Sequence, residues 1–124
     1  MKLSVFGCGG WGLAIASLLH RNGHGVTLWT PFDEECAALK RERGNAQLLP
    51  GIRLSEDIAV TADRVSAADA DMAVIAVPSY AVHETASGLR GLLPAGRPVV
   101  LLSKGFDREG GYCLLSDTLE RALG

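Results

Sequence analysis

The sequence predicts an α/β fold, a doubly wound, mostly parallel sheet in one domain over residues 1–124. Three observations carry that reading. Short apolar runs bounded by glycine or proline alternate with helical stretches of about a dozen residues, long enough for right-handed crossovers between parallel strands. The runs are continuously apolar, as strands covered on both faces are. Finally, 124 residues with 48% hydrophobic side chains suffice for one core but not for two.

Lys2 to Phe6 reads as the first strand, cut off by Gly7. The nearly uniform apolar stretch from Trp11 to Leu19 is a short, deeply packed helix that Asn22-Gly23 stops. Val26 to Trp29 is the second strand. Thr30 then reads as an N-cap, with Pro31 at the first helical position and Asp33 as a box-like partner, opening a helix to about Arg43. Asn45, Pro50-Gly51 and Ser55 make residues 44–57 an irregular loop before a short strand at Ile58 to Thr61. A brief helix from Asp63 to Ala68 precedes the strand Met72 to Val77, which Pro78 ends because it cannot donate to the ladder. Ser79 caps a helix to about Leu89, and Val99 to Ser103 is the fifth strand. After a loop from Lys104 to Gly111, Leu114, Leu115, Leu119 and Leu123 mark a last amphipathic helix.

Twelve basic and fourteen acidic residues give a net charge of -2 with no basic run, which excludes nucleic acid as a partner. Cys8, Cys36 and Cys113 are odd in number and scattered, without metal-ligand spacing, so reduced thiols, a cytoplasmic location and no metal are expected. The uncharged stretch from Leu3 to Leu19 after Lys2 imitates a secretory signal. Glycines at 7, 9, 10 and 12 would break the apolar helix that a signal or a membrane span needs.

In a doubly wound sheet ligands sit beyond the carboxyl ends of the strands, here the turns at Gly7 to Gly12, Thr30 to Asp33, Pro78-Ser79 and Ser103 to Gly105. The first of these fits G-x-G-x-x-G between a strand and a helix, the context that makes it a dinucleotide fingerprint. Gly7 permits the tight turn, Gly9 lets a pyrophosphate reach backbone N–H groups at the helix N-terminus, and Gly12 lets helix and sheet pack closely. A glycine turn without a ligand is the plainer reading, and no Gly-Lys-Ser/Thr follows that would make a P-loop.

An Asp or Glu after the second strand would hold the ribose of NAD, a basic residue the phosphate of NADP. Asp33, 21 residues beyond Gly12, reaches that corner, although it serves equally as a helix N-terminal charge. Phe32 is placed to lie against the adenine. With Asp33, Glu34 and Glu35 here and no Arg or Lys, local electrostatics favour NAD over NADP. Lys104 follows the fifth strand and points into the crevice or, equally, into solvent. Cys8 reads as a packing residue at a helix N-terminus, where a thiolate would be stabilised. His20, His24 and His83 read as surface or helix-end residues. Trp11 and Trp29 read as core, with Trp11 also at the mouth of the glycine loop, where it would cover a cofactor.

Gly7 to Gly12, Arg21 to Trp29, Asn45 to Gly51 with Leu49-Pro50-Gly51, Val77-Pro78-Ser79 and Ser103-Lys104-Gly105 fall in order along nearly the whole chain. Together they closely resemble the N-terminal domain of bacterial NAD(P)-dependent glycerol-3-phosphate dehydrogenases. The resemblance implies a Rossmann dinucleotide-binding domain of an enzyme interconverting sn-glycerol 3-phosphate and dihydroxyacetone phosphate in glycerophospholipid synthesis. It places Gly10, Trp11 and Pro78 with the glycines at the cofactor, and Lys104 near both nicotinamide and substrate. The family's helical C-terminal domain, with its catalytic lysine and most substrate-phosphate contacts, has no counterpart here. The chain alone is therefore expected to be inactive, with no catalytic residue of its own, and self-association into a homodimer is open to it.

Two positions depart from the family pattern. Gly10 stands where a serine usually precedes the aromatic residue, and Pro31 stands where an Arg or His commonly follows the second strand. The second departure speaks against NADPH. A ketopantoate reductase or 6-phosphogluconate dehydrogenase relative is the alternative within dehydrogenases, against which Ser103-Lys104-Gly105 argues. A non-catalytic nucleotide-binding module is the alternative outside them.

Overall fold

The apolar runs become five strands, β1 (Lys2–Phe6), β2 (Gly25–Trp29), β3 (Ala59–Thr61), β4 (Met72–Ile75) and β5 (Val99–Leu101). They lie side by side in the order β3-β2-β1-β4-β5, every neighbouring pair parallel. Between them run α1 (Gly10–Arg21), α2 (Asp33–Glu42), α3 (Arg64–Ala68) and α4 (Val82–Leu89). A small antiparallel pair, β6 (Phe106–Asp107) and β7 (Cys113–Leu114), leads into α5 (Leu115–Leu123). The computed structural model describes residues 1–47, 49–103, 106–107 and 113–124.

Strands β1, β2 and β4 each feed two cores. Val5, Val26, Leu28, Val74 and Ala76 pack with Leu13 and Ala16 of α1 and Cys36 and Leu39 of α2. Phe6, Trp29, Ala73, Ile75 and Val77 face the other way, onto Ala67 of α3, Val82, Ala86 and Leu89 of α4, and Leu115 and Leu119 of α5. Successive side chains on a strand point to opposite faces, so a sheet with helices on both sides needs apolar residues at every position. The single polar side chain inside β1, Ser4, satisfies its hydroxyl by donating to the Ala67 carbonyl at 2.5 Å.

The order reverses at β1, whose neighbours are β2 and β4, and the two crossovers diverge there to open a crevice at the strands' carboxyl ends. Gly7 and Ala76 continue the ladder past the last strand residues, with Gly7 N–H on the Trp29 carbonyl and Ala76 N–H on the Phe6 carbonyl, both at 2.9 Å. Helix α1 ends where expected: Asn22 is its C-cap, and Gly23 follows at φ +90°, a conformation glycine adopts without strain.

Several boundaries differ from the sequence reading. Thr30 is not the N-cap of α2: its N–H donates to the Thr61 carbonyl at 3.1 Å and the backbone is still extended at Phe32, at φ -101° and ψ 116°. Helix α2 starts at Asp33, with Phe32 as N-cap and no side-chain capping bond. Ser79 does not cap a helix either: Ser79–Ala81 is a 3-10 turn whose N-cap is Pro78, and α4 begins only at Val82. The strands β4 and β5 stop short of Val77 and Ser103, yet these two residues stay joined through the Ser103 hydroxyl, which donates to the Val77 carbonyl.

One side chain, Arg43, makes several of the ties that hold the long loop after α2. Arg43 takes the left-handed C-cap position at φ 57°, usually a glycine or asparagine site. Its guanidinium donates to the carbonyls of Ile58 at 2.9 Å and Glu56 at 3.3 Å and pairs with the Glu56 carboxylate at 3.3 Å. The last helical turn therefore holds the far end of the loop and delivers the fully buried Ile58 to the core.

A Cβ on Gly12 would stand 1.8 Å from the Gly7 carbonyl oxygen, while one on Gly25 would meet nothing within 4 Å. Gly12→Ala is expected to cost about 2–3 kcal/mol in denaturant unfolding, as overpacking against fixed backbone does. Gly25→Ala should stay within about 0.5 kcal/mol, the ordinary range of a surface change.

Candidate functional site

A cavity of about 380 Å³ lies beyond the carboxyl ends of β1, β2 and β4. Its floor is the glycine turn at Gly7, Cys8 and Gly9, one wall is the β2 exit from Trp29 to Phe32 with Glu35 of α2, and the other is Val77 and Pro78 with α3 and α4. The motif glycines divide the work. Gly7, at φ +129°, brings the turn against the Ala76–Val77 backbone, where a Cβ would fall 2.8 Å from main-chain atoms. Gly12 packs α1 onto Gly7. Gly9, by contrast, has nothing within 4 Å of where its Cβ would stand, so it alone of the three opens space at the cavity floor.

Gly9 is also the N-cap of α1. A helix's first-turn N–H groups have no helical acceptor, and they carry the positive end of its dipole. The floor of the cavity is thus a backbone surface suited to an anion.

The structure brings Gly7, Gly9, Phe32 and Pro78 of the expected residues to one cavity. Gly10, Trp11 and Gly12 begin α1 behind the floor and do not line the wall. Trp11 is not a core residue: it is 57% exposed, because Gly12 and Leu13 take the sheet-facing side of that turn. Trp29 is core, and its ring lies 5.6 Å from that of Phe6. Lys104 and Gly105 lie outside the described residues. Asp33 faces away from the cavity, onto a separate depression shared with Lys40 and Asp63.

Glu35, one of the acidic residues expected at this corner, and three residues that the sequence reading passed over complete the wall. Glu35, Arg64, Tyr80 and Glu84 reach it from α2, α3, the 3-10 turn and α4. Arg64 lies against α4 at Gly88, where a Cβ would come within 2.3 Å of Nη1. Among the described residues, Trp29 Nε1 is buried without a hydrogen-bond partner. His20 stands 3.8 Å from the Asp57 carboxylate, away from this cavity.

Cys8 is a buried packing residue whose Sγ donates to the Trp29 carbonyl at 3.4 Å. Burial pushes its thiol pKa far up, and the Glu35 carboxylate and Cys36 push it the same way. These outweigh the thiolate stabilisation expected from a helix N-terminus. Cys8 should therefore resist iodoacetamide in the folded protein at pH 8 and react at a free-thiol rate only after denaturation, as followed by mass spectrometry.

A glycine turn at the switch point of a doubly wound sheet, with an open floor at a helix N-terminus, defines a nucleotide-binding α/β domain. The family model for the NAD-dependent glycerol-3-phosphate dehydrogenase N-terminus matches residues 2–124, and the chain belongs to this family. It is 40% identical over 124 residues to the glycerol-3-phosphate dehydrogenase [NAD(P)+] of Fusobacterium nucleatum, covering 99% of this chain and 37% of that protein. With the Moorella thermoacetica enzyme of the same name it shares 42% identity, over 98% of this chain and 37% of the other. The crystal structure of glycerol-3-phosphate dehydrogenase from Coxiella burnetii superposes with a TM-score of 0.89 at 28% identity, over 98% of this chain and 37% of that one. The chain thus spans little more than a third of the length of the relatives it matches. Membership in this family decides against the ketopantoate reductase and 6-phosphogluconate dehydrogenase alternatives. No helix among the described residues is long and apolar enough to cross a membrane.

Proposed function

We propose that this chain is the dinucleotide-binding part of a glycerol-3-phosphate dehydrogenase that uses NAD or NADP. The whole protein would interconvert sn-glycerol 3-phosphate and dihydroxyacetone phosphate. The observation that carries this reading is the empty Cβ space at Gly9, on the cavity floor and at the head of α1.

The residues present fit such a cofactor. Any side chain at Gly9 would fill the cradle. The pyrophosphate would lie on the backbone from Gly9 to Gly12, with the dipole of α1 behind it. Phe32, 65% exposed at the rim, offers an aromatic face to the adenine, and Pro78 shapes the opposite side. Lys104 is assigned by resemblance to the nicotinamide and substrate end.

When bound, the nicotinamide supplies the redox chemistry. The chain's own residues bind and orient it and shield one side from water. No catalytic residue is assigned among these 124 positions, so the chain alone is inactive in this reading. A cytoplasmic location is supported by Cys8 and Cys36, both buried and free.

Calorimetric titration of the chain with NADH and NADPH tests the proposal, with Gly9→Val as the comparison. Wild type should bind at least one nucleotide, and the valine should weaken it by about 100-fold or more while circular dichroism stays native. A folded wild-type chain that binds neither nucleotide overturns the reading.

A further inference from the structure

The corner after β2 holds three carboxylates, and the structure separates them. Asp33 faces the depression with Lys40 and Asp63, and Glu34 lines neither that depression nor the cavity. Glu35 faces the cavity, as the third residue of α2 and still within its first turn.

We propose that Glu35, held in place by Thr30, is the carboxylate that reads the adenosine ribose and makes this chain discriminate against a 2'-phosphate. The proposal rests on the dinucleotide reading above and adds to it the residue pair that sets cofactor preference.

Thr30 is fully buried at the β2 exit. Its hydroxyl donates to Glu35 Oε1 at 2.6 Å and accepts from Phe32 N–H at 3.3 Å. A hydroxyl has one hydrogen and two lone pairs, so the Phe32 bond aims the hydrogen and the hydrogen fixes Oε1. Glu35 Oε2 takes no hydrogen bond from the described residues and is left to the cavity. A carboxylate held this way accepts from a ribose diol, which has hydroxyls to donate. A 2'-phosphate has only acceptors and negative charge to offer, and meets repulsion.

The surroundings add no cation on this wall. Pro31 follows Thr30 with neither charge nor N–H, and Phe32 follows Pro31. Arg64 is the one cation among the described lining residues; it comes from α3 and rests on α4 at Gly88, with Glu84 on the same wall. Glu35 lines the same cavity as the glycine turn at Gly7 to Gly9, where a ribose next to the pyrophosphate would lie.

The test is calorimetric titration of the wild-type chain and five variants with NADH and NADPH, each variant checked for native circular dichroism. Wild type should bind NADH about tenfold or more tightly than NADPH. Glu35→Gln should bring the two within about threefold, chiefly by strengthening NADPH, while Asp33→Asn leaves the ratio unchanged. Thr30→Val should shift the ratio as Glu35→Gln does, and Thr30→Ser should restore it, which loss of buried packing alone would not do.

Three results overturn the proposal while leaving dinucleotide binding intact. These are a wild type that binds NADPH as tightly as NADH, a ratio that follows Asp33 instead of Glu35, or NADPH binding that is strong and lost in Arg64→Ala. If Thr30→Val does not fold, the Glu35→Gln and Thr30→Ser ratios decide alone. A folded wild type that binds neither nucleotide removes the underlying reading as well.

Discussion

The contact on which the rest of the structure depends is the approach of α1 to the exit of β1. The Gly7 carbonyl occupies the space that a Gly12 side chain would need, 1.8 Å from its Cβ position. No flexible side chain stands between them to yield, so the helix axis is fixed to the strand by backbone alone. That crossing points the N-terminus of α1 at the cavity floor, buries Cys8 beneath it and leaves Gly9 facing open space. The three glycines are one constraint seen from three sides, and replacing any of them changes a different surface.

The second constraint is the two-sided sheet. Because Phe6, Trp29, Ile75 and Val77 belong to one core and Val5, Leu28, Val74 and Ala76 to the other, each strand end is held from above and below. The crevice between the β2 and β4 exits thus has walls that were set by packing before any ligand arrives. Ser103 extends the effect beyond β5, since its hydroxyl reaches the Val77 carbonyl and ties the fifth strand's exit to the fourth's. A rigid frame of this kind reduces the ordering a ligand would otherwise impose on binding.

Much of the fold was legible because its signals are local. Apolar runs cut by Gly7, Asn22-Gly23 and Pro78 marked strands and helices to within a few residues, and the parallel order followed from their alternation. The misread positions are those where two partners compete for one group. Thr30 has the side chain of an N-cap, yet its hydroxyl donates to Glu35 and accepts from Phe32 N–H, and the chain stays extended to Phe32 before the helix starts. Ser79 follows a proline whose carbonyl takes the Ala81 N–H at 2.9 Å, and the chain spends one tight turn before α4 begins. Trp11 is apolar in an apolar stretch, but Gly12 and Leu13 occupy the side of the helix that meets the sheet. None of these outcomes is written in composition or period, because each depends on a residue distant in sequence or on the face a helix turns inward.

The candidate site divides in the same way. Its floor comes from three consecutive residues, Gly7 to Gly9, and shows in the sequence as part of a motif. Its walls come from α2, α3 and α4, which the crossovers carry to one place from positions as far apart as Glu35 and Glu84. Pro31 links the two halves. Pro31 has no N–H, the Phe32 N–H is taken by the Thr30 hydroxyl, the backbone stays extended through Phe32, and the first helical bond runs from Cys36 N–H to the Phe32 carbonyl. That delay of two residues carries the phenyl ring to the rim and sets the phase of α2, turning Glu35 toward the cavity and Asp33 away from it. With helix positions 100° apart, a start one residue earlier would present a different acidic side chain.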